Sequence, residues 1–241
     1  MKVTLLTHTP EPERVIATAA RLCYSADDAG SIWYDMKYGN TASKQIEMLK
    51  EMGHESPFEH ASFTFAIEDV SRALLAQITR HRIASFSVRS QRYVKVDDAF
   101  VIPDEIAIDE DALPYFDTAI STAKECYQQI SDILTKYYVK TGMNAKAAEK
   151  KAIEDARYVL PNACCTSMIV TMNARELMHF FRLRCCNRAQ WEIREVADEM
   201  LVLCQEVAPT LFDGAGAPCV SGKCPEGRMS CGHPRKENRN D

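Results

Sequence analysis

The chain has 241 residues, 46% of them hydrophobic and 26% charged, and a formal net charge of −5. This is long enough for one sizeable core in an ordinary soluble protein, and the net acidity argues against broad, sequence-independent binding to nucleic acid, which depends on neutralising many phosphates at once. No apolar run approaches the length of a membrane span, and the opening MKVTLLTHTPEPER meets His8, Glu11 and Glu13 too early for a signal peptide. A cytoplasmic protein that keeps its ten cysteines mostly as thiols is therefore expected.

In chain order, residues 2–7 (KVTLLT) read as a strand, followed by a helix from about Glu13 to Cys23 with Val15, Ile16, Ala19, Ala20 and Leu22 at helical spacing. A second helix runs through TASKQIEMLKEMG and stops at Gly53. ASFTFAI, Ala61 to Ile67, alternates Phe63 and Phe65 with smaller residues and reads as a strand. Helical spacing returns in EDVSRALLAQITRHR, where Val70, Ala73, Leu74, Gln77 and Ile78 share one side and Arg80 falls beside Gln77. A long helix is expected from Leu113 to Lys140, with Pro114 tolerated in its first turn, and another from its N-cap Asn144 to Leu160, stopped by Pro161. CCTSMIVTMN is strand-like, ARELMHFFRLR helical, and RAQWEIREVADEMLVLCQEV a long amphipathic helix. Strands and helices mix without regular alternation, which predicts one α+β domain over residues 1–212. Residues 213–241 change abruptly to Gly, Pro, Cys and charge without an apolar period, as in a tail that is mobile at its end.

Three clusters carry chemistry. Arg80 to Tyr93, RHRIASFSVRSQRY, holds four arginines and one histidine in 14 residues with no acidic side chain. Arginine's planar fork matches phosphate and carboxylate, so an anionic ligand is the first reading. A nucleic-acid module that stacks bases on Phe86 and Tyr93 is the rival. GHESPFEH brings His54, Glu55, Ser56, Glu59 and His60 together, at a spacing that matches neither H-E-x-x-H nor a zinc finger. NARELMHFFRLR, on a helix, puts Leu177, Phe180, Phe181 and Arg184 on one face and Arg175, His179 and Arg182 on the opposite one. Arg184 prolongs an apolar stripe, so its guanidinium is either snorkelling or held against an anion. Neither a P-loop nor a G-x-G-x-x-G after a strand is present, so arginines would replace glycine-loop amides at any phosphate. In the tail, Cys219, Cys224, Cys231 and His233 could offer three sulfurs and a nitrogen to zinc, although C-x4-C-x6-C-x-H is not a standard spacing.

Arg80-His81-Arg82 followed after seven residues by Ser90, with GHESPFEH upstream and NAR, LR and AQWEI downstream, resembles the flavin-dependent thymidylate synthases in order and spacing, over roughly Met1 to Phe212. The resemblance implies a mixed or antiparallel central sheet with long helices, assembled as a homotetramer whose subunits share each active site. It implies reductive methylation of dUMP to dTMP, with methylenetetrahydrofolate as carbon donor, FAD as bound cofactor and NADPH as reductant, and no nucleic-acid or membrane partner. Carried over residue by residue, Gln77, Arg80, Ser90, Arg92, Arg157 and Arg184 would meet dUMP. His54, Ser56, Arg80, His81, Arg82, Asn173, Arg175 and His179 would meet FAD. Arg184 would activate the pyrimidine without a protein nucleophile, leaving Cys185 and Cys186 as bystanders. Many members carry Asn-Glu before the serine where this chain has Ser87 and Val88.

Overall fold

The computed structural model describes residues 1–38, 41–93 and 99–235. It is an α+β structure with a small sheet in the order β1-β2-β4-β3 and many helices. Two compact units are distinguished, one of residues 1–68, 77–87 and 169–241, the other of residues 69–76 and 88–168.

In the first unit, β1 (Lys2–His8) runs antiparallel to β2 (Ser62–Ser71), from Lys2 opposite Glu68 to His8 opposite Phe63, with an irregularity between Leu5 and Thr7. Helix α1 (Pro12–Leu22) has Pro12 and Glu13 in its first turn and Arg21 in its last, and it buries Ile16, Ala17 and Ala20. Short α2 (Ala29–Asp35) packs on α1; Asp28 caps it, its Oδ1 accepting from the N–H groups of Gly30 and Ser31. Helix α3 (Thr41–Met52) ends as expected at Gly53, whose φ of +67° only glycine adopts at little cost.

The expected helix from Glu68 starts later. Glu68 to Ser71 continue β2, and α4 (Arg72–Ile78) begins only after Ser71, whose Oγ accepts the Leu74 N–H at 3.0 Å. A serine able to cap marks the boundary more strongly than helical spacing upstream of it. The basic stretch after α4 contains β3 (Ala84–Val88).

The second unit contains α5 (Asp104–Ala107), then α6 (Leu113–Lys140) packed on α7 (Ala145–Ala156) around Tyr127, Ile153 and Ala156. Asn144 Oδ1 accepts the Ala147 N–H at 2.9 Å, so the expected cap forms. The α-helix ends at Ala156, short of Leu160, and tightens into a 3-10 turn over Arg157–Val159. Pro161 accounts for this by holding Leu160 extended, at ψ 136°.

Strand β4 (Cys165–Asn173) leads into α8 (Ala174–Arg184), then α9 (Trp191–Val207) and α10 (Pro209–Phe212). The core of the first unit is aromatic. Phe212 meets Phe63 and Phe181 edge-on at 5.5 and 6.0 Å between centroids, and all three are fully buried. The described tail, to Arg235, belongs to this unit; the end expected to be mobile, 236–241, lies outside the described residues.

Candidate functional site

Helix α8 organises the site in the first unit. Asn173 Oδ1 accepts the Glu176 N–H at 2.9 Å to start the helix. Leu177, Phe180 and Phe181 are fully buried while Arg175, His179 and Arg182 are exposed, so the two faces separate as the spacing predicts. Arg184 closes the helix, where the dipole favours a cation. Half-buried, its guanidinium is pushed below its usual range by burial first and by the like charge of Arg80 second.

Arg184 Nε donates to His81 Nε2 at 3.2 Å, and His81 Nδ1 lies 3.0 Å from Glu176 Oε1. A guanidinium only donates, so Nε2 must offer its lone pair and Nδ1 must carry the proton. His81 is therefore neutral and donates to the Glu176 carboxylate. Its ring is 5% exposed, packed on Phe180 at 4.9 Å and facing His179 at 5.9 Å. Burial pushes its pKa down, against the pull of Glu176 and with the push of Arg184 and His179. With both ring nitrogens engaged, the side chain of His81 has none left for the flavin contact that the resemblance assigns to it.

Around this relay stand further cations. Among the described residues no carboxylate is ion-paired with Arg80, Arg82, Arg182 or Arg184, and the first three are exposed. Arg175 differs: Glu55, at 3.6 Å, and Glu59 both pair with it. It lines a cavity of about 400 Å³ together with His54 and Ser56, so these three candidates do converge. His179 and Arg182 line another cavity, of about 470 Å³, with Lys50 and Glu55. Arg182 and Arg184 line a third, of about 840 Å³, walled in part by Cys219, Cys224 and Cys231. Gln77 Nε2 reaches Gln190 Oε1 at 3.5 Å, and the same oxygen accepts the Ile193 N–H at the start of α9.

The remaining candidates lie in the second unit. Ser90 Oγ accepts the Arg92 N–H at 3.2 Å, and Arg92 Nε pairs with Glu154 Oε1 at 2.9 Å. Arg157 opens the 3-10 turn that follows α7, its guanidinium 5.9 Å from the Tyr158 ring. Val88, the departure noted in the sequence, ends β3 half-buried.

The zinc reading of the tail gains no geometric support. Among the described residues no group of three or more His, Cys, Asp or Glu side chains is disposed to hold a metal. Cys219 Sγ instead accepts the Arg235 N–H at 3.3 Å, and Cys231 Sγ accepts the His233 N–H at 3.4 Å. Arg235 ties the tail down beside Arg184, donating to the Cys185 carbonyl at 2.6 Å and to Asp198 Oδ1 at 2.9 Å. Cys185 itself is buried and hydrogen-bonds Asp198, and burial pushes its thiol far above the ordinary range, so it is inert as a nucleophile.

Reading the sequence singled out cations and passed over Glu176, Gln190 and Arg235. Glu176 left one signal: Asn173 followed three residues later by glutamate is a capping-box pattern. The asparagine caps the helix, but one glutamate oxygen turns inward to His81.

The family model described as thymidylate synthase complementing protein matches residues 4–210. A flavin-dependent thymidylate synthase of Clostridium tetani is 54% identical over 233 residues, 96% of this chain and 93% of that one. Proteins of the same name from Geobacter sulfurreducens and Pyrococcus furiosus are 46% and 37% identical, over 96% and 94% of this chain and 94% and 90% of their own. A likeness covering 96% of the chain necessarily runs past Phe212 into the tail.

Proposed function

The chain belongs to the thymidylate synthase complementing protein family, the flavin-dependent thymidylate synthases, and from that premise we propose that it converts dUMP to dTMP with methylenetetrahydrofolate as carbon donor and NADPH as reductant. In that reaction the methylene carbon bonds to C5 of the pyrimidine as its bonds to the folate nitrogens break and tetrahydrofolate leaves, the C5 hydrogen departs as a proton, and a hydride equivalent from the reductant, two electrons with a proton, completes the methyl group.

The observation that carries the reading is Arg184, half-buried, repelled by Arg80 and without a carboxylate partner among the described residues. A cation held this way favours an anion or a group that becomes one, since a ligand relieves both burial and repulsion. Beside the pyrimidine it would stabilise negative charge at N3 and its flanking carbonyl, which raises the nucleophilicity of C5. The inert thiol of Cys185 agrees with a route that uses no protein nucleophile.

The donor set also fits a phosphorylated flavin. Arg80 and Arg82 are exposed and carry no ion pair to a described carboxylate, and charge-assisted hydrogen bonds of this kind are worth roughly 1.5–3 kcal/mol each. We assign them to its diphosphate, with Ser56, His54, Asn173, Arg175 and His179 as further contacts; when bound, FAD would supply the two-electron chemistry. Arg175 would have to release Glu55 or Glu59, while His81 would serve through another residue. Gln77, Arg80, Ser90, Arg92 and Arg157 are assigned to dUMP. A homotetramer with shared sites is supported by the surface of α6, where Tyr115, Ile133 and Tyr137 are 80%, 65% and 59% exposed, more apolar area than a solvent-facing helix needs.

Rescue of a thymidine-requiring strain tests the activity, with Arg184→Ala as control. Growth with the native chain alone is expected. Growth with both removes the role of Arg184, and growth with neither removes the activity.

A further inference from the structure

We propose that Glu176 and His81 are positioning residues for Arg184, a buried relay that fixes the plane of its guanidinium and leaves both terminal nitrogens to the substrate. The inference rests on the reading of Arg184 given above, but adds to it the side chains of two further residues, joined to it at 3.2 and 3.0 Å.

The argument begins with what arginine lacks. A long side chain at the end of a helix has four rotatable bonds, and a guanidinium in a partly open site would sample many orientations. Arg184 is tethered at Nε by a lone pair at 3.2 Å, which restricts rotation while sparing the fork. Only one tautomer of His81 can provide that lone pair, and Glu176 selects it by accepting the proton on Nδ1 at 3.0 Å. The logic is that of a carboxylate orienting an imidazole, which in turn orients the working group. Here the imidazole never needs to exchange a proton.

The surroundings favour this state. His81 is 5% and Glu176 7% exposed, so water does not compete for either bond. The titratable groups facing His81 are Glu176, His179 and Arg184, all on α8, with Arg80 beyond Arg184. Burial, the first cause, disfavours an imidazolium, as do Arg184 and His179, against the single carboxylate of Glu176. If His81 did protonate, Nε2 would carry a hydrogen against the Arg184 Nε–H and the tether would become a repulsion.

Three substitutions and one spectrum test this. Glu176→Gln keeps the shape but allows the amide to donate to Nδ1, which moves the ring proton to Nε2. Turnover should fall on the order of 10²-fold, the scale of a misplaced catalytic group, while the KM for dUMP and the flavin content stay near those of the native protein. His81→Gln still offers an oxygen to Arg184 and an N–H to Glu176, without titrating. It should restore much of the turnover lost in His81→Leu and remove the fall in rate at acid pH. Nitrogen-15 spectra of histidine-labelled protein should show His81 protonated at Nδ1, a readout independent of activity.

Native turnover in Glu176→Gln, equal losses in His81→Gln and His81→Leu, or a proton on Nε2 in the native protein would each overturn the relay. Full activity in Arg184→Ala, run alongside, would instead overturn the reading on which the relay rests.

Discussion

Replacing Arg184 by lysine keeps the positive charge at the end of α8 and removes the fork. In the native chain Nε donates to His81 at 3.2 Å, which leaves the terminal nitrogens for the ligand proposed above. A lysine ammonium is a point donor on a flexible stem; it can satisfy His81 or the pyrimidine but cannot hold both in one plane. The loss is one charge-assisted hydrogen bond, roughly 1.5–3 kcal/mol. At about 1.4 kcal/mol per factor of ten, kcat/KM should fall by about 10- to 150-fold. Release of tritium from dUMP labelled at C5 reads the step directly, since that hydrogen must leave before the methyl group is complete. Lysine that turns over as fast as arginine would show that charge alone suffices and that the tether to His81 has no catalytic meaning.

Other expectations follow from the same geometry. Because the folded pKa of His81 is depressed, the unfolded chain binds the extra proton as pH falls below about 6.5; stability should therefore decrease on acidification, by at most about 1.4 kcal/mol per pH unit from this group. Urea denaturation at several pH values should show that slope reduced in His81→Gln, and an identical slope in both would count against a buried neutral ring. Phe212→Ala removes a fully buried ring that meets Phe63 and Phe181 just before the tail, and should cost about 3–5 kcal/mol by denaturant midpoint; a loss under about 1 kcal/mol would mean the site collapses without a cavity. Val88→Glu adds a negative charge near Ser90 and Arg92 in the sequence, where the phosphate of dUMP is assigned. Isothermal titration should find weaker dUMP binding, and equal or tighter binding would remove that segment from the phosphate site.

What the sequence made legible depended on local chemistry. Leu113–Lys140 was readable to the residue because Pro114 and Gly142 punctuate it, and β1, β4 and α8 were set by simple periodicity. Glu68 to Ser71 were misread because Val70 suits a buried strand as well as a helical stripe, and only the Ser71 cap separates the two. The seven-residue α2 has too few turns to show a period, and its Asp28 cap is seen only in the structure. Within the site, cations stood out by their density, while their partners did not. Glu176 lies 95 residues from His81 and Gln190 113 from Gln77, separations that no spacing rule spans. The resemblance assigns His81 to the flavin, whereas its burial against Phe180 is a tertiary fact that no local pattern carries. The tail looked detached for want of apolar residues, yet Arg235 fastens it through a carbonyl and a carboxylate.

The most direct measurement is made on the purified chain, supplied anaerobically with dUMP, methylenetetrahydrofolate and NADPH. Visible flavin absorbance and the formation of one dTMP for each NADPH oxidised are the predicted results; Arg184→Ala should keep the absorbance and lose the dTMP. A protein that takes up no flavin when FAD is added, or a coloured protein that oxidises NADPH without methylating dUMP, would contradict the account.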